Sequence, residues 1–186
     1  MGAATPDPVL YVIACGGRPG ADLPTFVRTA QEDGWDVCAI TTPSGAKFVD
    51  TEQLSRLTGH PVRSEYKRPE DPDVLPPADA FVVAPATFNT VNKWAAGISD
   101  TLALGLINEA VGLGLPIVAV PWPNVALARH PAFPRSVREL ESCGVRFVLN
   151  AADLPAPDSG APAVASFPWD DLTAEVRRMF TQVRAA

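Results

Sequence analysis

The residues whose types and spacing suit chemistry fall in four short segments, each just past an apolar run. The first is Gly16-Gly17-Arg18-Pro19-Gly20. Glycines let successive backbone N–H groups converge on a phosphate, and a following helix N-terminus adds positive potential. Arg18 would add charge-assisted hydrogen bonds. The competing reading is a tight turn without a ligand. The spacing is not GxGxxG, and no acidic residue closes the second apolar run as an NAD site requires.

The second segment, Thr42-Pro43-Ser44-Gly45-Ala46-Lys47, puts hydroxyls and a lysine beside the first in an ordinary sheet order; otherwise it is a solvated loop. The third, Pro85-Ala86-Thr87-Phe88-Asn89-Thr90, runs on through Val91-Asn92-Lys93-Trp94-Ala95-Ala96-Gly97-Ile98-Ser99-Asp100. Small residues and amide side chains at a turn suit a planar heterocycle, lying flat on it and hydrogen-bonding its edge. An N-cap by Asn89 or Thr90 is the plainer alternative. The fourth, Pro121 to Pro131, carries Asn124, Arg129 and His130.

Alternating elements must hold these segments. Val9 to Cys15 reads as a buried parallel strand, and Ala21 to Asp33 as a helix, with Leu23, Phe26, Val27 and Ala30 on one face. Trp35 to Thr41 is a second strand, completing a right-handed βαβ unit. Phe48 to Thr58 reads as a helix capped by Asp50 or Thr51 and stopped at Gly59. His60 to Pro77, rich in proline and charge, is expected as a surface loop or lid. Ala80 to Ala84 is the third strand, and helix follows from Thr90 to Leu113 in two pieces around Gly97. Leu115 to Val120 is the fourth strand, Phe133 to Cys143 a helix, Val145 to Leu149 the fifth strand. A Pro/Ala/Gly-rich tail over about 151–168 precedes a last helix, Trp169 to Arg184. Strands alternating with helices imply an α/β fold, a three-layer parallel sheet flanked by helices, with ligands beyond the C-terminal strand ends.

Composition narrows the function classes. The 186 residues suit one domain spanning 1–186. At 47% apolar, the chain has a core to bury. A net charge of −6 with scattered Lys and Arg opposes general nucleic-acid binding and a membrane-surface patch. No apolar run reaches the ~18 residues of a membrane span, and Met1 to Pro8 has no signal-peptide pattern. Cys15, Cys38 and Cys143 form no CxxC pair, so no metal site is expected; all three read as buried free thiols suited to a reducing cytoplasm.

The run PATFNTVNKWAAGISD resembles the "PASANT" motif and following helix of the homo-oligomeric flavin-containing cysteine decarboxylases. The match runs through Pro85, Ala86, Asn89, Thr90, Asn92, Lys93, Ala96, Gly97, Ile98 and Asp100. Their PxMNxxMW motif has a partial counterpart in Pro121-Trp122-Pro123-Asn124-Val125-Ala126-Leu127-Ala128, matching at Pro121 and Asn124.

The resemblance implies a Rossmann-like (flavodoxin-like) fold, FMN as cofactor, and a homotrimer or multiple of trimers with flavin at subunit contacts. It places Gly16, Gly17, Arg18 and Ser44 at the phosphate, and Pro85, Ala86, Thr87, Phe88 and Asn89 at the isoalloxazine ring, with Lys93 and Asp100 in the same motif. Asn124 becomes the substrate-contacting, catalytic candidate. The implied activity is flavin oxidation of a small or peptidyl cysteine, whose thioaldehyde then loses CO₂.

Two positions depart from the family. Gly17-Arg18 stands where a serine or threonine usually follows glycine. Asp71 stands where an essential histidine precedes the third strand; a carboxylate lacks imidazole's near-neutral proton chemistry and repels a substrate carboxylate. His60 lies too early to replace it, and His130 is either a surface residue or a substitute acid or base. Trp94 and Trp122 either flank the ligand or pack in the core. The expected function is a flavin redox enzyme, possible alternatives being a non-catalytic FMN-binding or regulatory subunit and, ranked lower, a flavin prenyltransferase.

Overall fold

The computed structural model describes residues 6–157 and 165–185; the middle of the expected tail, 158–164, lies outside the described residues. Five strands form one sheet: β1 (Val9–Ala14), β2 (Asp36–Thr41), β3 (Ala80–Ala86), β4 (Ile117–Pro121) and β5 (Arg146–Phe147). Their order is β2-β1-β3-β4-β5 and every pairing is parallel. That is the flavodoxin-like doubly wound order, whose switch point lies between β1 and β3.

Among the described residues, seven α-helices flank the sheet: α1 (Leu23–Glu32), α2 (Thr51–Thr58), α3 (Phe88–Ala95), α4 (Leu102–Leu113), α5 (Val125–Ala128), α6 (Ala132–Ser142) and, after the last strand, α7 (Trp169–Ala185). Period-two alternation sends β1 residues to opposite faces. Leu10, Val12 and Ala14 pack with α1, α2 and α7 through Phe26, Leu54 and Val176. Tyr11 and Ile13 pack with α3, α4 and α6 through Trp94, Ile107 and Leu140. Trp94 is therefore a core residue, while Trp122 rests edge-on against Phe167 at 5.1 Å.

The 60–77 segment adds cover to this second face beside β1 and β2. Tyr11 Oη donates to Pro76 O at 2.8 Å, Leu75 packs on the core, and Arg63 bridges the outer edge of β2 at Ile40. Tyr66 Oη donates to Ser99 O at 3.2 Å and lies against Gly105 of α4, so close that a Cβ there would displace the phenol. The segment thus closes a sheet face.

Several boundaries differ from expectation; α2, for one, starts at Thr51 rather than Phe48, and β4 spans Ile117–Pro121 rather than Leu115 to Val120. β3 runs two residues further, to Ala86, so Pro85 and Ala86 are buried strand residues. α3 starts at Phe88 rather than Thr90, because Thr87 Oγ1 accepts from Thr90 N–H at 3.2 Å and caps it. β5 pairs with β4 at only two residues, Arg146 and Phe147, rather than along Val145 to Leu149. Cys15 and Cys38 are buried, but Cys143 is exposed at the C-terminus of α6, where the helix ends short of the sheet. Among the described residues, no helix is long and apolar enough to cross a membrane.

Candidate functional site

The loops leaving β1, β2 and β3 meet at one cavity of about 560 Å³, within the range of small-molecule and cofactor sites. Gly16 and Gly17, at φ +102° and +152°, bend the chain in a way L side chains rarely adopt. A Cβ on Gly17 would come to 3.4 Å from Pro85 Cγ, so Pro85 backs this loop from β3. Buried Thr42 joins the loops: its Oγ1 donates to Cys15 O at 3.1 Å and accepts from Gly45 N–H at 2.9 Å. Gly45 is the tightest point, since a Cβ there would sit 2.1 Å from Ala14 O.

Gly16, Gly17, Ser44, Thr87, Asn89 and Lys93 line the cavity. Among the described residues, the fold's own hydrogen bonds use neither the Gly16 and Gly17 N–H groups nor the side chains of Ser44 and Asn89. The site therefore offers free donors. Lys93 Nζ donates to Asp100 Oδ2, fixing the ammonium against the turn into α4 and placing Asp100 just behind the wall.

Other expected residues have different positions. Arg18 is exposed beside the first loop, and Pro85 and Ala86 lie beneath it. Phe88 turns toward α6, stacking on Phe133 at 6.3 Å and meeting His130 edge-on at 5.7 Å. Asn124 caps α5, its Oδ1 accepting from Leu127 N–H at 2.9 Å. His130 is exposed, and its Nδ1 accepts from Ala132 N–H. Asp71 is exposed too; its carboxylate accepts from Arg68 N–H and its backbone oxygen from Lys67 Nζ.

The cavity also takes in Cys15, Phe48, Thr101 and Leu104. Thr101 caps α4, its Oγ1 accepting from Leu104 N–H; nothing in the sequence marked it as a wall. Burial pushes the Cys15 thiol up to about 12, against the lowering effect of Thr90, so it stays protonated and weakly nucleophilic.

Known proteins resemble this chain along most of its length. The phosphopantothenoylcysteine decarboxylase of Mus musculus is 29% identical over 176 residues, covering 90% of this chain and 84% of that protein. The coenzyme A biosynthesis bifunctional protein CoaBC of Bacillus subtilis (strain 168) is 31% identical over 121 residues. That match takes in 62% of this chain but spans only 29% of the bifunctional protein's length. The solved structure of the FMN-dependent cysteine decarboxylase SpaF shares the fold, with a TM-score of 0.73 at 22% identity, covering 97% of this chain and 98% of that one. The Flavoprotein family model matches residues 10–181, and this protein belongs to that family.

Proposed function

We propose that the chain holds FMN non-covalently in the cavity beyond β1, β2 and β3, and acts on a thiol-bearing small molecule or peptide. The observation carrying this reading is the convergence of three strand-end loops on one cavity with unused donors. The residues fit the cofactor. Gly16, Gly17 and Ser44 would hold the phosphate with Arg18 at its edge, and Thr87 and Asn89 would hydrogen-bond the ring. Bound flavin supplies redox chemistry; the chain supplies orientation and electrostatics. Decarboxylation of a cysteine-like substrate is the specific reaction, in keeping with the names of the relatives. Asn124, two residues beyond Trp122, would meet the substrate from the fourth loop.

A second reading is a flavin-binding subunit without turnover. Asp71 favours it, being exposed and occupied in bracing its own loop. A trimer-based assembly belongs to the first reading, and the exposed Phe48, Tyr66 and Ile98 give it apolar surface near the cavity.

The test is anaerobic mixing of the flavin-loaded protein with a panel of cysteine-ended peptides and phosphopantothenoylcysteine. Bleaching of the flavin band with CO₂ release supports the enzyme. Flavin that no thiol reduces supports the binding subunit. Sedimentation of the same sample as a monomer would reject the trimer.

A further inference from the structure

A second cavity, of about 520 Å³, opens at the opposite end of the sheet, where β4 and β5 begin. Three charged side chains of one cluster line it. Arg146 Nη1 donates to Glu175 Oε2 at 2.6 Å, and Arg178 donates to both Glu175 oxygens. The Glu175 side chain is 16% exposed, whereas both arginines are 59% exposed. One carboxylate thus holds two guanidinium groups side by side, for a local charge of plus one in a chain of net −6.

Fastening α7 to β5 needs Arg146 alone. Arg178 and Glu175 sit three residues apart on the same helix, so their pair ties no two elements together, and exposed pairs of that kind contribute little stability. Arg178 instead sets a second fork of donors beside the first. Each guanidinium has five N–H donors, and Glu175 occupies only some of them. Gln182 adds an amide to the same wall, and Met179 adds an apolar surface. Paired forks of fixed geometry match the oxygens of a phosphate, which accepts bidentately from arginine.

We propose that this cavity is a second ligand site, which takes the phosphate group of a small organic phosphate on Arg146 and Arg178. It is separate from the flavin cavity, at the other end of the parallel strands. Glu175 is a positioning residue that orients both guanidinium groups.

Cys143 provides the probe. It lines this cavity and is exposed, whereas Cys15 and Cys38 are buried, so mild alkylation of the whole protein reports on this site. Pyrophosphate and AMP should slow iodoacetamide labelling of Cys143 saturably, while citrate at matched ionic strength should not. Arg178→Gln removes a helix-surface group without untying α7. It should weaken protection about tenfold, the loss of one charge-assisted hydrogen bond. Arg178→Lys, which keeps the charge and loses the fork, should recover only part of the affinity. Retained helix content by circular dichroism and unchanged flavin uptake would show the fold and the first cavity to be intact. Labelling indifferent to both phosphates, equal protection by citrate, or protection that survives Arg178→Gln would overturn the proposal.

Discussion

The β1 loop and the β4 loop both leave C-terminal strand ends, yet their polar groups are used differently. In the first, Gly16 and Gly17 line a cavity, and no hydrogen bond among the described residues uses their N–H groups. In the second, Asn124 caps α5 and His130 accepts from Ala132 N–H while meeting Phe88. A motif match treats Asn124 and Gly16 alike. The structure shows Asn124 Oδ1 engaged in a cap and the Gly16 N–H without a partner among the described residues.

The largest break in this comparison comes at Gly45, which wedges the β2 loop under the first. Gly45→Ala drives a Cβ into Ala14 O, so the loop must move. Overpacking of this kind costs about 1–3 kcal/mol, and a lower urea midpoint together with lost flavin uptake is expected. A wild-type midpoint with full uptake would show that the two loops can shift freely.

Asn89→Asp sharpens the comparison. The residue is exposed in the first turn of α3 with its side chain unused, where an added negative charge favours the helix. Thermal stability should hold or rise while flavin affinity falls about tenfold or more, the loss of a donor to the ring. Unchanged FMN affinity would remove Asn89 from the site. Asn124→Ala should do the reverse, costing about 1 kcal/mol as a lost cap while flavin retention stays the same. Flavin loss there would place the fourth loop at the ring.

A further effect is confined to alkali. Burial raises Cys15 from 9.0 to about 12, and Cys38 rises likewise from 9.0 to about 12. The unfolded chain releases these protons first, so stability is full below about pH 9 and falls as pH climbs toward 12. Urea midpoints measured across that window should decline, and Cys15→Ala should flatten the slope.

Much of this was legible in the sequence because it rests on local chemistry. The apolar run Val9 to Cys15 is buried throughout, and of the two caps expected for α2, Asp50 or Thr51, Asp50 accepts from Gln53 N–H at 2.8 Å. The less legible features depend on partners distant in sequence. Phe88 reads as a ring-facing residue from its motif, and only the approach of Phe133 shows which way it turns. The role of the 60–77 segment was hidden because its partners, Tyr11 and Ile40, lie far away in sequence. Cys143 was misread as core because the apolar residues after it belong to β5, while α6 ends at the surface. The cluster around Glu175 joins residues 29 apart in sequence, with no motif to announce it.

The most direct test of the central claim, that the loops beyond β1, β2 and β3 form a flavin site, is the visible absorption spectrum of the purified protein with its released cofactor weighed by mass spectrometry. Oxidised-flavin bands and the mass of FMN, both diminished in Asn89→Asp, are the expected result. A colourless protein that takes up no added FMN would contradict the account.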